Sequence, residues 1–99
     1  MAHHPNTVYL MSSAQDPLYI EFVTRLRDAR KQRGLTQSEL GVLIGKEQAF
    51  ISKVETCERR LDIIETAQIC AVLGIDLEHA LPASLRQKLR ERVEKNYEE

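Results

Sequence analysis

The sequence predicts an all-α fold in which five helices form one domain and an additional helix follows at the C-terminus. Apolar residues recur at helical spacing in successive segments of the 99-residue chain. Glycines end three of these segments, at positions 34, 45 and 74, where a residue that tolerates positive φ lets the chain leave a helix. A chain of this length can bury an adequate core as a single domain.

The first helix is predicted from about Pro17 to Arg33. Asp16 and Pro17 are residue types expected at the start of a capped helix, and Gly34 follows its end. One face of this helix carries the residues that we expect to be buried: Tyr19, Phe22, Val23, Leu26 and Ala29. This helix is therefore predicted to belong to the core.

The second helix is predicted to begin at Gln37 and to end at a tight turn around Gly45. Thr36 and Glu39 have the spacing of a capping box, in which each side chain binds a backbone N–H that the first helical turn leaves free. The apolar face of this short helix should consist of Leu40, Leu43 and Ile44.

The third helix should run from about Glu47 to Glu55, with Ile51 and Val54 pointing inward. That orientation turns another set of side chains outward: Gln48, Ala49, Ser52 and Lys53. An amide, a methyl, a hydroxyl and an ammonium group are chemically suited to the edges of base pairs. Two short helices around a tight turn are also the layout of a DNA-reading element.

The fourth and fifth helices are predicted from a second set of capping signals. Asp62 and Glu65 have capping-box spacing, so a helix should follow Asp62 and end at Leu73. Asp76 should cap a short fifth helix that ends near Leu81-Pro82. The fourth helix is predicted to bury Ile63, Thr66, Ile69, Cys70 and Leu73.

A further charged helix is predicted from Ala83 to Tyr97. Its apolar residues form one narrow stripe: Leu85, Leu89, Val93 and Tyr97. One narrow stripe cannot stabilise an isolated helix, so this helix must pack on something. Packing on its own domain and a symmetric dimer contact are both compatible with the sequence.

Several separated elements of the chain match a known family: Gly34-Leu35-Thr36-Gln37, Glu39-Leu40, Ile44-Gly45, Gln48, Ile51-Ser52-Lys53, Glu55 and Leu73-Gly74-Ile75. From about Phe22 to Leu81 the chain resembles the helix-turn-helix domains of the lambda-repressor-like, or XRE, transcriptional regulators. Many spaced matches are far more specific than a single short motif. Two positions depart from the family pattern. Cys57 replaces a usual glycine, which implies a non-glycine residue near the left-handed region, and Thr66 replaces a usual leucine, which thins the core.

The resemblance implies a five-helix lambda-repressor-like domain and a sequence-specific regulator of transcription. Such a protein would be a repressor that binds a palindromic double-stranded DNA operator as a homodimer, with helix 47–55 in the major groove. In this interpretation Gln48 binds an adenine edge, Lys53 binds a guanine edge, and Ser52 binds a base or a phosphate. Ala49 and Phe50 would contact thymine methyl groups.

The resemblance also implies residues that hold the DNA backbone and residues that hold the third helix. Phosphate contacts are expected from Thr36, Gln37, Lys46, Arg59 and Arg60. For Arg59 and Arg60, an ordinary charged surface loop is the alternative. An ion pair between Arg30 and Glu55 would lock the third helix to the scaffold, and two solvated surface charges are the alternative.

The charge distribution favours an anionic partner, although the formal net charge of the chain is only -1. The segment from Arg25 to Arg60 contains nine basic and five acidic residues, a balance of +4. The rest of the chain must therefore carry -5. A molecule with this polarity can present its positive part to a phosphate backbone.

Enzymatic activity is not expected, because the chain has no glycine-rich phosphate loop and no nucleophile with a neighbouring base. No cofactor or metal is expected either. Cys57 and Cys70 have no histidine close in sequence to complete a ligand set, and His3 and His4 lie at the terminus. The longest apolar run is far below the ~20 residues that cross a bilayer, so we expect a cytoplasmic protein without a membrane partner.

A second functional class stays open at this stage: a protein-interaction module, or an antitoxin-type component, that uses the same fold to bind a protein partner. Glu47 and Phe50 keep this alternative open, because an interaction surface would carry acidic or apolar residues on the third helix. Gln48, Ser52 and Lys53 on the same helix favour DNA instead.

The expected organisation has three parts. Residues 1–15 form an N-terminal arm that is either flexible or, over Thr7–Met11, a strand that pairs with its equivalent in a second subunit. Residues 16–81 form the helix-turn-helix domain. Residues 82–99 form the C-terminal helix, which is a candidate dimerisation element.

Overall fold

A computed structural model describes residues 16–97 of the protein as an all-helical fold, and it confirms the predicted fold class. The helices are α1 Pro17–Gln32, α2 Gln37–Ile44, α3 Gln48–Glu55, α4 Ile63–Leu73, α5 Leu77–Ala80 and α6 Ala83–Tyr97. The predictions for the N-terminal arm, including the strand over Thr7–Met11, lie outside the described residues.

Capping boxes set the starts of α2 and α4, as predicted. The Thr36 hydroxyl accepts a hydrogen bond from the Glu39 N–H at 3.0 Å, and the Glu39 carboxylate accepts one from the Thr36 N–H at 2.8 Å. Asp62 and Glu65 exchange the equivalent bonds at 2.7 and 3.0 Å. Both helices therefore begin at positions fixed by side chains three residues apart.

Two other helices begin without a side-chain cap. Asp76 is the N-cap residue of α5, as predicted, but its side chain makes no capping hydrogen bond. Its carboxylate lies 3.5 Å from Nδ1 of His79 instead. Glu47 precedes α3 as its N-cap residue, also without a side-chain cap, so the helix begins one residue later than expected.

Residues in the left-handed backbone conformation follow the ends of four helices: Gly34, Gly45, Cys57 and Gly74. Gly45, after α2, has φ 71°, which confirms the predicted turn. Cys57, after α3, has φ 63°. This confirms the expectation drawn from its replacement of a glycine, and the conformation costs a residue with a side chain ~1 kcal/mol.

The core lies where α1, α2, α3 and α4 converge, and α5 closes one side. The buried cluster consists of Leu26, Leu40, Ile51, Ile69, Cys70, Leu73 and Ala80. The inward positions predicted for α3, Ile51 and Val54, are confirmed. Thr66 is buried as well, and its hydroxyl donates to the carbonyl of Asp62 at 2.8 Å, so the polar replacement of a leucine is satisfied.

Two residues predicted to be buried are exposed. Leu43 is 57% exposed because the buried face of α2 is centred on Leu40 and Gly41, and Leu43 lies at the edge of the helix. Ile63 is 63% exposed because it begins α4 at the margin of the core, where it lines an open apolar groove. Both predictions were wrong for the same reason: helical spacing gives a face but not its centre or its ends.

Gly41 controls the distance between α2 and the turn that follows it. A Cβ atom at this position would lie 2.6 Å from the carbonyl oxygen of Lys46. The Gly41 carbonyl also accepts a hydrogen bond from the Lys46 N–H at 2.7 Å. A side chain at position 41 would therefore displace the turn and, with it, the start of α3.

The C-terminal helix α6 is only partly covered by its own domain. Leu85 is half-buried, but Leu89 and Val93 are 49% and 51% exposed. Packing on the domain therefore accounts for only the first part of the predicted stripe. None of the helices in the described part of the chain is long and apolar enough to span a membrane.

Candidate nucleic-acid interface

The outer face of α3 carries the polar side chains that the sequence analysis assigned to base contacts. Because Ile51 and Val54 point into the core, the opposite side of the helix faces solvent. Gln48, Ala49 and Lys53 are exposed there, and Ser52 is half-buried. This face therefore offers hydrogen-bond donors, acceptors and one methyl group to a partner.

A chain of side-chain hydrogen bonds links the start of α3 to its end through α2. Nε2 of Gln48 donates to Oε1 of Gln37 at 2.7 Å. Nε2 of Gln37 in turn donates to Oε1 of Glu55 at 2.9 Å. Gln37 and Gln48, the first residues of α2 and α3, are thus hydrogen-bonded to each other. Because Gln37 is also bound to Glu55, the position of the Gln48 amide depends on Glu55.

The carboxylate of Glu55 is fixed by Arg30 of α1. Nε of Arg30 donates to one carboxylate oxygen at 2.7 Å and Nη2 donates to the other at 3.0 Å. A third guanidinium nitrogen, Nη1, donates to the carbonyl of Leu35 at 2.6 Å. The two side chains are each only 8% exposed, so the pair is not solvated. Two parallel charge-assisted bonds fix the orientation of α3 relative to α1.

Two cations flank the ring of Phe50. Nζ of Lys46 lies 5.0 Å from the ring centroid, and the guanidinium carbon of Arg59 lies 4.6 Å from it. Phe50 also packs against the core. The ring therefore helps to position Lys46 and Arg59 beside α3. Each exposed cation–π contact of this kind is stabilising by ~0.5–1 kcal/mol. The expected contact between Phe50 and a thymine methyl group stays a prediction.

Arg59 is bound within the protein. Nη1 and Nη2 of Arg59 donate to the two carboxylate oxygens of Glu65 at 2.8 and 2.9 Å, and Nη1 also donates to the carbonyl of Arg60 at 2.8 Å. The hydrogen bond from Arg59 lowers the pKa of Glu65, with a further contribution from the Asp62 N–H. The same bond raises the pKa of Arg59. The expected phosphate contact would have to share this guanidinium with Glu65.

Arg60 and its loop are attached to α1 through Tyr19. The guanidinium carbon of Arg60 lies 4.5 Å from the Tyr19 ring centroid. The Tyr19 hydroxyl accepts a hydrogen bond from the N–H of Leu61 at 2.9 Å. Burial raises the pKa of Tyr19. The loop between α3 and α4 is therefore attached to α1 at two points.

Thr36 is largely committed to the capping box of α2. Its N–H donates to Glu39 and its hydroxyl oxygen accepts from the Glu39 N–H. The carboxylate of Glu39 also places a negative charge at this helix terminus. A phosphate here would meet the hydroxyl proton of Thr36 and the remaining N–H groups of the first turn.

The described residues were also searched for a metal-ligand cluster and for activated thiols. Within residues 16–97, no group of three or more histidine, cysteine, aspartate or glutamate side chains could hold a metal ion. Cys57 and Cys70 are free thiols, and burial raises the pKa of both, so neither is an activated nucleophile.

Sequence reasoning missed the contacts that position these side chains. The hydrogen bond between Gln37 and Gln48 joins residues on different helices. The hydrogen bond between Leu61 and Tyr19 joins residues that are 42 positions apart in the sequence. The pair of Arg59 with Glu65 was also missed, although Glu65 had already been placed in a capping box near the same loop. Neither helical spacing nor charge counting reports such contacts.

Comparisons with known proteins agree with this geometry. A family model described as a helix-turn-helix domain matches residues 21–81. An XRE-family-like protein from Pseudomonas syringae pv. tomato str. DC3000 is 31% identical, with a TM-score of 0.64 over 87% of this chain and 98% of that chain. The restriction-modification controller protein C.AhdI from Aeromonas hydrophila is 26% identical, with a TM-score of 0.59 over 63% of this chain and 90% of that chain. A search of curated proteins gives no significant match.

Proposed function

The chain belongs to the XRE-type helix-turn-helix family, and we propose that it binds a specific double-stranded DNA operator with α3 in the major groove. The observation that carries this proposal is the bond network from Arg30 through Glu55 and Gln37 to Gln48. An exposed amide held in one orientation is what reading a base edge requires.

Gln48 is the principal base-reading residue in this proposal. Its bond to Gln37 uses one N–H of the amide, and the second N–H and the amide oxygen can bind N7 and N6 of an adenine. Lys53, one turn and a half further along α3, contacts guanine. Ser52 contacts a base or a phosphate, and Ala49 contacts a thymine methyl group.

The phosphate contacts come from the segments that flank α3 in the sequence. Lys46 precedes the helix and Arg60 follows it, and both can neutralise phosphates of the DNA backbone. Gln37 and the Thr36 hydroxyl approach the backbone from the start of α2. Arg59 is paired with Glu65, so we assign it the role of fixing the loop. Arg60 is exposed beside α3, and we assign it a phosphate contact.

The protein acts as a repressor that binds a palindromic operator as a homodimer. An open apolar groove of ≈ 370 Å³ lies beside the Arg60 loop, and Leu18, Ile63 and Leu77 line it with large exposed side chains. We propose that a second copy covers this groove, because a two-fold dimer would present one α3 helix to each half-site of a palindrome. Sedimentation of an Ile63→Asp variant tests the contact: it should be monomeric, and an unchanged dimer would exclude the groove as the interface.

The proposed roles are tested by measuring dissociation constants on a selected duplex and on its single-base variants. Gln48→Ala should cost ~1–3 kcal/mol and lose discrimination at one operator position. Lys46→Ala should weaken binding to all duplexes about equally and reduce the salt dependence. Lys31→Ala, an exposed lysine on α1, is the matched control and should bind like the natural chain. Uniform loss for Gln48→Ala, or no loss at all, would contradict the assignment.

A further inference from the structure

The charged residues of α6 are sorted around its apolar stripe. In an α-helix with Leu89 at the centre of a face, Arg86 and Arg90 lie on one side and Lys88 and Arg92 lie on the other. The two acidic residues of α6, Glu91 and Glu94, lie toward the back of the helix. The exposed stripe is thus bordered by basic side chains on both sides.

The surface of α6 reflects this arrangement. A shallow groove on one side of Leu89 is lined by Lys88, Arg92 and Lys95, with Glu91 as its one acidic residue. The groove on the other side contains Arg86 and Arg90 with Glu78 and Glu94. Nη2 of Arg90 already donates to the Glu78 carboxylate of α5 at 3.2 Å. A basic residue beside the stripe therefore binds a carboxylate on a neighbouring helix within this domain.

We propose that the exposed face of α6, formed by Leu89 and Val93 with Lys88 and Arg92 beside them, binds an acidic amphipathic helix of a partner protein. The half-exposed Leu89 and Val93 supply the apolar contact. The basic edge containing Lys88 and Arg92 supplies charge complementarity, which sets both partner choice and association rate. This surface is separate from α3, so it goes beyond the proposed DNA binding.

The charges of α6 disfavour a second copy of the same helix as the occupant. Antiparallel pairing would place the Lys88 and Arg92 edge of one helix against the same edge of the other. Parallel pairing would place that edge against Arg86 and Arg90. Like charges meet at the border of the contact in both arrangements, and such contacts select against self-association.

The chemistry of the stripe also favours a protein over a lipid surface or DNA. Helices that lie in a membrane interface carry a broad apolar face with large aromatic residues, whereas the exposed apolar contact proposed here consists of two aliphatic residues, Leu89 and Val93. A phosphate backbone would engage the basic residues but would leave Leu89 and Val93 in water.

The proposal is tested with the full chain and two labelled synthetic helical peptides that have the same leucine stripe. One peptide carries glutamates beside the stripe and the other carries lysines. In fluorescence anisotropy the acidic peptide should bind and the basic peptide should not. Leu89→Gln should weaken the acidic peptide about tenfold or more, and Lys88→Glu about fivefold. Lys31→Glu, with the same change of charge on α1, should have no effect.

Several results would overturn this assignment. Equal binding of the two peptides, or equal effects of Lys88→Glu and Lys31→Glu, would show that the basic edge of α6 does not select an acidic partner. Binding of phosphatidylserine vesicles in place of the acidic peptide would identify a lipid surface. Dissociation of a homodimer by Leu89→Gln would identify a second copy as the occupant. Leu89→Gln and Lys88→Glu should leave operator affinity unchanged, so failure here is distinguishable from failure of the DNA-binding proposal.

Discussion

The ion pair between Arg30 and Glu55 provides a quantitative test of how α3 is held. Replacement of Arg30 with methionine keeps most of the side-chain volume but leaves the Glu55 carboxylate buried with only the Gln37 amide as a donor. Removal of one partner of a buried pair costs ~3–5 kcal/mol. For a domain of this size the expected fall in Tm is roughly 12 °C or more.

The assay is thermal and urea unfolding followed by circular dichroism. Arg33→Met is the control, because Arg33 is an exposed residue at the C-cap of the same helix and its guanidinium makes only a 3.4 Å bond to the Val72 carbonyl. It should change stability by less than about 0.5 kcal/mol. A double Arg30→Met, Glu55→Met variant should regain most of the stability, because a well-packed apolar pair replaces two buried charges.

The double variant separates stability from DNA binding. Without the Glu55 carboxylate, Gln37 loses its acceptor and Gln48 loses its fixed orientation, so operator affinity should stay low although the domain is folded. If Arg30→Met unfolds like Arg33→Met, the ion pair does not stabilise the fold as expected. If the double variant recovers both stability and full operator affinity, the position of the Gln48 amide does not depend on Glu55.

Three further outcomes follow from single contacts. Gly41→Val should lower the free energy of unfolding by ~1–3 kcal/mol, because its side chain would meet the Lys46 carbonyl; an unchanged urea midpoint would contradict this. Cys57→Gly should raise the free energy of unfolding by ~0.5–1 kcal/mol, because glycine adopts φ 63° without strain. A loss of stability would show that the packing of the Cys57 side chain outweighs the relief of backbone strain. Since Arg59 lowers the pKa of Glu65 in the folded state, this pair stabilises the fold above the ordinary glutamate pKa of about 4.3 and loses that effect as pH falls through the lowered value. Glu65→Gln should flatten this acid dependence in melts measured between neutral and acidic pH, and an unaltered dependence would exclude the pair as its source.

The starts of α2 and α4 and the turn after α2 could be predicted because their causes are local. Thr36 with Glu39, and Asp62 with Glu65, satisfy backbone groups within one helical turn. The turn at Gly45 depends on the conformational freedom of one residue. Each of these signals lies within a short stretch of sequence. The structure confirms the starts that they predict for α2 and α4.

The precise arrangement of the interface could not be predicted, because it depends on contacts between distant residues. The sequence indicated that Gln48 faces outward, but its bond to Gln37 appears only after α2 and α3 are packed. Arg59 looked like a free cation until Glu65 was placed beside it. The exposure of Leu43 likewise depends on how far α2 is rotated against the core, which spacing alone does not determine.

The measurement that tests the central claim most directly is selection of bound sites from random duplex DNA by the full chain, followed by salt titration on the enriched sequence. The proposal predicts a palindrome whose half-sites lie about one helical turn apart, with affinity that falls steeply with salt. Absence of any enriched sequence at low salt would contradict the claim that α3 reads DNA.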